Sequence, residues 1–286
     1  MIVPTQAMPE RHALFKRAIE SVLSQDGVRV VPLVVINGTN QDPVLVREIM
    51  ADGRLRTATS APGLATALMV GRELVDTPFF AELDDDDIYL PGALSARLRA
   101  LETLDVDTVI SNGLRRNAGG DVLHIPDTTA VARDPLRALC RANWLLPGSW
   151  LCRTDRVEPW LMRGMPAHLE CTWLAVRFAT RTRIHILERP TVVWHTDTPC
   201  AVTRTSEYVL GQVPGLKRIL ELELPPDVRD EFRRRLAPAC HMIAELYLRS
   251  GRRGQAWRWH LRSLVEPGGA SFLPFTVRML APVSGT

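Results

Sequence analysis

Residues 84–87 are four consecutive aspartates, Asp84, Asp85, Asp86 and Asp87, set between the apolar stretch PFFAEL and the turn-like YLPG. No lysine or arginine occurs between Arg72 and Arg97, so no sequence neighbour neutralises them. Two like charges ~4 Å apart repel by ~1 kcal/mol in bulk water and several-fold more near a protein surface. Carboxylates gathered this way either lift their pKa values or recruit a cation. On an extended segment alternate residues share a face, so Asp84 and Asp86 can converge while Asp85 points elsewhere. A small set of oxygen ligands suits Mg²⁺ or Mn²⁺, which keep open positions for substrate phosphates. The rival reading is a solvated acidic loop ahead of the helix that starts near Pro91.

The elements that must position this run alternate between two periods. MIVPT, VRVVPLVVI, LRTAT, PFFAEL and DTVISN read as strands. Pro32 argues for an edge or an irregularity in the second of them. Between them, helical spacing appears from Pro9 to Asp26, over residues 63–75 and after Leu90. Such alternation predicts an α/β fold with a largely parallel sheet, whose ligands bind beyond the carboxyl ends of the strands. The aspartates stand at such an end. From about residue 115 the pattern loosens into a hairpin (RRNAGGDVLH), a helix (ARDPLRALCRANW), a short strand (GSWLCR), a helix (HLECTWLAVRFAT) and extended segments at RIHILERP and TVVWH. After about residue 205 it turns helical and arginine-rich. Phe232, Leu236, Cys240, Ile243 and Tyr247 keep helical spacing despite Pro238, and Trp257, Leu261 and Leu264 mark a second helix. This reads as an antiparallel helical hairpin over 205–286. It follows a main domain over 1–204, divided into halves at 1–112 and 113–204.

Composition narrows the function classes. The 286 residues are 46% apolar and 23% charged, enough for a sizeable core. A net charge of +3 does not point to nucleic acid. The five cysteines, Cys140, Cys152, Cys171, Cys200 and Cys240, form no C-x-x-C pair, so a reducing cytoplasm is expected. No segment reaches the roughly 18 to 20 apolar residues of a membrane span, and no leader is visible.

PT at 4–5, RAIESVLSQ at 17–25, VVINGT at 34–39 and the long stretch from Gly63 to Leu94 occur in the order found in family 2 glycosyltransferases. The chain resembles these inverting, nucleotide-sugar-dependent enzymes of GT-A fold densely over 1–98 and more thinly to about 200. The resemblance implies a donor pocket containing Pro4, Thr5, Asn37, Asp84 and Asp85. It implies Mn²⁺ or Mg²⁺ on Asp84 and Asp86, with His195 after the strand TVVWH completing the shell. A nucleotide diphosphate sugar would be the donor, and a saccharide, lipid-linked or glycoconjugate hydroxyl the acceptor. The setting implied is bacterial polysaccharide or glycoconjugate synthesis.

Several positions depart from the family pattern. Ile36 stands where an acid is usual, ALM at 67–69 replaces ARN, and Glu82 replaces an apolar residue and is expected at an exposed sheet edge. The family's Glu-Asp pair that opens a helix maps onto ECTWLAVR, with Glu170 matching the Glu and Cys171 in place of the catalytic Asp. Three readings stay open: Glu170 is the general base, the base is Asp155 or Glu158 instead, or the enzyme is weak or inactive. Cys171 itself is expected to be a small buried apolar residue. His168 and Trp173 are acceptor candidates, and Trp144 and Trp150 could also stack on sugars, although core packing is the commoner use of a Trp. The C-terminal arginines, with Trp257 and Trp259, suggest peripheral contact with a membrane face or homodimerisation, against solvated helix faces as the alternative. A non-catalytic nucleotide-sugar binder and a nucleotidyltransferase on a similar fold are the rival functions. PTQAMPER lacks the glycine-rich loop that the latter requires.

Overall fold

The computed structural model describes residues 1–198 and 201–280; Cys200 lies outside the described residues. The chain forms two compact units, Met1–Ala201 and Val202–Thr286.

In the first unit, β1 (Ile2–Thr5) is buried along its whole length and leads through a 3-10 turn at Pro9–Arg11 into α1 (His12–Leu23). Phe15, Ala18, Ile19 and Val22 form the buried stripe of α1. β2 (Leu33–Ile36) begins only after Pro32, where a missing N–H would interrupt the ladder. α2 (Pro43–Ala51) is capped by Asp42, whose side chain accepts from the Val44 N–H at 2.9 Å. β3 (Arg56–Thr59) follows, and then α3 (Leu64–Glu73). β1, β2 and β3 form a parallel sheet in that order. α3 packs closely on β1, since a Cβ at Gly71 would lie 2.5 Å from Ile2 Cγ2.

β4 (Phe79–Phe80) leads into residues 81–83, which run parallel to β1. The Ile2 N–H donates to the Ala81 carbonyl at 2.8 Å, and the Leu83 N–H donates to the Ile2 carbonyl at 3.0 Å. This bridge joins the first sheet to a second one. The remaining elements are β5 (Ile88–Tyr89), α4 (Ala93–Thr103), β6 (Thr108–Asn117), β7 (Gly120–Leu123), α5 (Thr128–Arg133), α6 (Pro135–Ala138), β8 (Trp150–Arg153), α7 (Glu170–Arg181) and β9 (Ile184–His195). Strand order is β4-β8-β6-β9-β5, with β7 forming a hairpin on β6. β8 is antiparallel to both β4 and β6, and β9 is parallel to β6. The sheet is therefore mixed, more so than the alternating pattern predicted. β4, β6 and β9 still point the same way as β1 and β2, so Thr5, Asn37, Asp84 and His195 gather at one edge.

Two sequence expectations change here. The single helix expected over ARDPLRALCRANW breaks at Asp134–Pro135 into α5 and α6, because Pro135 can only begin a helix. RIHILERP and TVVWH are one strand, whose register against β6 shifts around Asn112.

Arg97 is fully buried on α4 without a carboxylate partner among the described residues. It donates to Ser111 Oγ, Thr191 Oγ1 and the Trp150 carbonyl, and its guanidinium lies 4.9 Å from the Tyr89 ring centroid. Burial lowers its pKa.

The second unit contains α8 (Ser206–Leu220), α9 (Pro226–Arg234), α10 (Leu236–Arg249), α11 (Arg253–Val265) and α12 (Phe275–Leu280). The expected hairpin corresponds to α10 and α11. The break at Arg235 places Phe232 in α9 and Pro238 in the first turn of α10, where a missing N–H is harmless. No helix among the described residues is long and apolar enough to cross a membrane.

Candidate active site

The acidic run leaves the 81–83 segment at the sheet edge and divides by direction. Asp85 turns inward: Thr5 Oγ1 donates to its Oδ2 at 2.6 Å, and Arg11 Nη1 lies 2.8 Å from its Oδ1. Thr5 Oγ1 also accepts the Ala7 N–H at 2.9 Å, which fixes Ala7 in a left-handed conformation with φ of 49°. Burial pushes the Asp85 carboxyl up to about 6, while the Arg11 charge opposes this.

Asp84, Asp86 and Asp87 converge, each presenting a carboxylate oxygen within 4.8 Å of the others. Burial, reinforced by the neighbouring aspartates, raises Asp84 and Asp87 well above the usual carboxylate range. Asp87 Oδ2 is buried with no hydrogen-bond partner among the described residues. Three oxygens converging with an unmatched lone pair form a donor set suited to a hard divalent cation. Asp86 Oδ2 accepts from Arg11 Nη2 and, at 2.9 Å, from Thr198 Oγ1. Arg17 Nη2 donates to the Asp86 carbonyl at 2.7 Å.

The third member of the cluster is thus Asp87, where the resemblance implied His195. The His195 backbone N–H donates to Asp87 Oδ1 at 2.8 Å and its Nδ1 lies 3.7 Å from the same oxygen. His195 therefore contacts Asp87, with a buried Nδ1 that has no hydrogen-bond partner among the described residues and a pKa lowered by burial. Pro4 and Asn37 are buried at the ends of β1 and β2, and the Asn37 N–H donates to the Thr5 carbonyl at 2.9 Å. Gly38 allows this closeness, since a Cβ there would lie 2.1 Å from the Gln6 carbonyl oxygen.

Glu82 is not at an exposed edge. It is 1% exposed, and the chain runs alongside β1 at this position. Its Oε2 has no hydrogen-bond partner among the described residues, and burial with the charges of Asp84, Glu170 and Asp87 raises its pKa well above normal. Glu170 opens α7, and burial raises its pKa as well. Cys171 is surrounded by the same groups: burial and the charges of Glu82, Asp84, Glu170 and Asp87 keep its thiol protonated. That disfavours the thiolate, although the residue itself is half-buried and not fully interior as expected. Asp155 and Glu158 follow β8, whose end lies at the opposite sheet edge, where the Thr154 N–H donates to the Pro78 carbonyl. Neither is brought to the acidic cluster.

His168 is half-buried and holds a left-handed φ of 70° just before α7. Trp173 is 1% exposed, its indole N–H directed at the Leu161 carbonyl, and it packs in the core instead of offering a ring face. Trp144 and Trp150 are buried too, Trp150 between Phe80 and Phe178 with centroids 5.6 Å from each. Sequence reading missed Arg11, Arg17 and Thr198 because contacts across such chain separations carry no local signal. Asp87 was visible within the run, but the resemblance gave the third ligand position to His195.

An α/β sheet with an acidic cluster at the carboxyl ends of its parallel strands, beside a buried Thr and Asn, defines a GT-A-type nucleotide-sugar-binding domain. Residues 5–156, more than half of the chain, match the glycosyl transferase family 2 model, and the chain belongs to that family. It is a nucleotide-sugar-dependent glycosyltransferase. Solved structures of similar fold include S. aureus TarS 1–349 with UDP-GlcNAc, at TM-score 0.58 and 16% identity over 84% of this chain and 71% of that one. The same fragment with UDP aligns at TM-score 0.53 and 15% identity over 81% and 68%. S. aureus TarS itself aligns at TM-score 0.55 and 15% identity over 85% of this chain and 47% of that one. No curated protein matches the chain at a significant level.

Proposed function

We propose that the chain is a metal-dependent inverting transferase in which Asp84, Asp86 and Asp87 hold Mg²⁺ or Mn²⁺ against the diphosphate of the donor. The convergence of three carboxylates, with Asp87 Oδ2 buried and unpartnered among the described residues, carries this reading. A bound divalent cation supplies charge neutralisation for the departing nucleotide diphosphate. Thr5, Pro4 and Asn37 line the nucleotide side, and Asp85, held by Thr5 and Arg11, keeps the β1 loop in place. His195 supports Asp87. UDP-GlcNAc, the ligand in one of the S. aureus structures, is the first donor to test.

Glu170 is the general base in this reading. Its raised pKa brings it nearer the range in which a carboxylate accepts a proton effectively at neutral pH. It removes the proton from an acceptor hydroxyl as that oxygen attacks the anomeric carbon. His168, two residues earlier, lies beside the acceptor. The acceptor is a saccharide, lipid-linked or glycoconjugate hydroxyl in a bacterial polysaccharide pathway. Calorimetric titration with UDP, GDP and dTDP, with and without Mn²⁺, tests the donor site. Metal-dependent binding of one nucleotide, abolished by Asp86→Ala, supports it, and no binding to any of the three removes it. Donor binding without turnover in an acceptor screen would instead support a non-catalytic binder.

For the second unit we propose peripheral contact with an anionic membrane surface. Leu261, Val265, Leu273, Val277 and Leu280 are exposed on α11, α12 and the turn between them. Many arginines of this unit are matched locally, for example Arg233 with Asp230 and Arg262 with Glu266. Residues 251–280 nevertheless carry five arginines against one acid, Glu266. Co-sedimentation with phosphatidylglycerol vesicles that Val265→Asp abolishes would support this contact. A dimer in solution without vesicle binding would assign the surface to self-association.

A further inference from the structure

Asp86 faces a conflict that the cluster itself creates. It contributes to the three-carboxylate group, yet its Oδ2 already accepts Arg11 Nη2 and Thr198 Oγ1. Arg11 reaches it from the 3-10 turn after β1, and its other terminal nitrogen spans to Asp85 Oδ1 at 2.8 Å. The side chains of Arg11, Asp85 and Asp86 are only 11%, 2% and 13% exposed. Arg11 Nε is buried and has no hydrogen-bond partner among the described residues. A guanidinium offers five N–H donors, so this one holds two carboxylates with capacity to spare.

We propose that Arg11 is the resident counter-cation of the donor site. It competes with the divalent ion for Asp86, and when that ion binds it keeps Asp85 and turns its released N–H groups to the donor's diphosphate. The proposal rests on the metal and donor reading given above. Three features support it. The two Arg11 contacts are unequal, because Asp85 lies outside the converging trio while Asp86 lies within it, so only the Asp86 contact must yield. Asp85 is held independently by Thr5 and serves as a fixed pivot for the guanidinium. Phosphate oxygens arriving at the metal side meet a planar donor fork that is already desolvated, which is the geometry favoured for charge-assisted hydrogen bonds. A further consequence is that metal and donor bind cooperatively: the ion frees Arg11, and the diphosphate holds it away from Asp86.

The test measures Mn²⁺ binding without nucleotide, from the electron paramagnetic resonance of the free ion, and UDP binding by calorimetry at saturating Mn²⁺. Wild type, Arg11→Gln and Arg11→Lys are compared, with thermal unfolding as the control for folding. With its competitor removed, Arg11→Gln should bind Mn²⁺ at least ~5-fold more tightly and UDP at least ~10-fold more weakly, as loss of a charge-assisted phosphate contact requires. Arg11→Lys should retain part of the UDP affinity and fall between the two for Mn²⁺, since one ammonium cannot span both carboxylates. If Arg11→Gln does not fold, this Lys variant carries the test with the same directions of change. Unchanged or weaker Mn²⁺ binding in the variants overturns the competition, and unchanged UDP binding overturns the diphosphate contact. If the wild type binds no UDP while the Mn²⁺ arm behaves as expected, the donor reading fails and the competition stands.

Discussion

Thr5 Oγ1 and Asp85 Oδ2 are 2.6 Å apart although 80 residues separate them in the chain. This bond ties the end of β1 to the acidic run, and the same hydroxyl accepts the Ala7 N–H that shapes the loop after β1. Thr5→Val preserves shape and leaves both buried groups unmatched. We expect it to lower stability by about 1–3 kcal/mol in urea denaturation and to weaken nucleotide binding as well.

The three converging carboxylates should not respond alike. Asp84→Asn and Asp86→Asn should each remove most Mn²⁺ affinity; Asp84→Asn should leave the melting temperature unchanged or raise it, because it relieves like-charge repulsion, whereas Asp86→Asn should lower it, because it breaks the ion pair with Arg11. Asp87→Asn should also weaken the end of β9, where the His195 N–H depends on Asp87 Oδ1. Calorimetry paired with thermal melts separates the two effects. Equal Mn²⁺ affinity in wild type and Asp87→Asn would return the third ligand position to His195.

The buried carboxyls set a pH dependence. Glu82 has a folded-state pKa raised from its ordinary 4.5, chiefly by burial, so the folded state holds that proton more tightly than the unfolded chain does. Its contribution is complete below pH 4.5 and is lost as pH rises through the higher folded value. Asp84, Asp85 and Asp87 are shifted in the same direction. In metal-free protein, wild type should therefore lose stability relative to Glu82→Gln between pH 5 and pH 8, which are about one half unit above and well above the ordinary value. Parallel stability curves for the two proteins would contradict this.

Glu170→Gln should abolish sugar transfer while leaving nucleotide affinity within about twofold, as removal of a base that acts only on the acceptor requires. Cys171→Ala should leave transfer largely intact, since burial, reinforced by the acidic neighbours, disfavours the thiolate. Loss of transfer in Cys171→Ala with Glu170→Gln active would reverse the assignment.

Arg97 tests the fold itself. Arg97→Leu removes a buried charge but leaves Ser111, Thr191 and the Trp150 carbonyl without their donor. We expect a loss of about 2–4 kcal/mol in chemical denaturation, because three polar groups stay buried with fewer partners. A stabilised variant would show that the Ser111–Thr191 hydroxyl pair, already in place, and the Trp150 carbonyl are satisfied without Arg97.

The sequence alone determined much of this protein. Alternating strand and helix periods over the first 112 residues gave the α/β order, because local burial patterns repeat at 2.0 and 3.6 residues whatever surrounds them. Four adjacent aspartates at a strand end marked the site, because their mutual repulsion does not depend on the rest of the chain. The tertiary structure decided which carboxylates converge, since strand alternation stops where the chain turns at Asp84 and Asp87 joins the group from the turn. It also decided that Glu82 is interior, because only the pairing of residues 81–83 with β1 covers it. Arg11 became visible last. A guanidinium can reach Asp86 only after parallel strands bring residues 75 positions apart to one sheet edge.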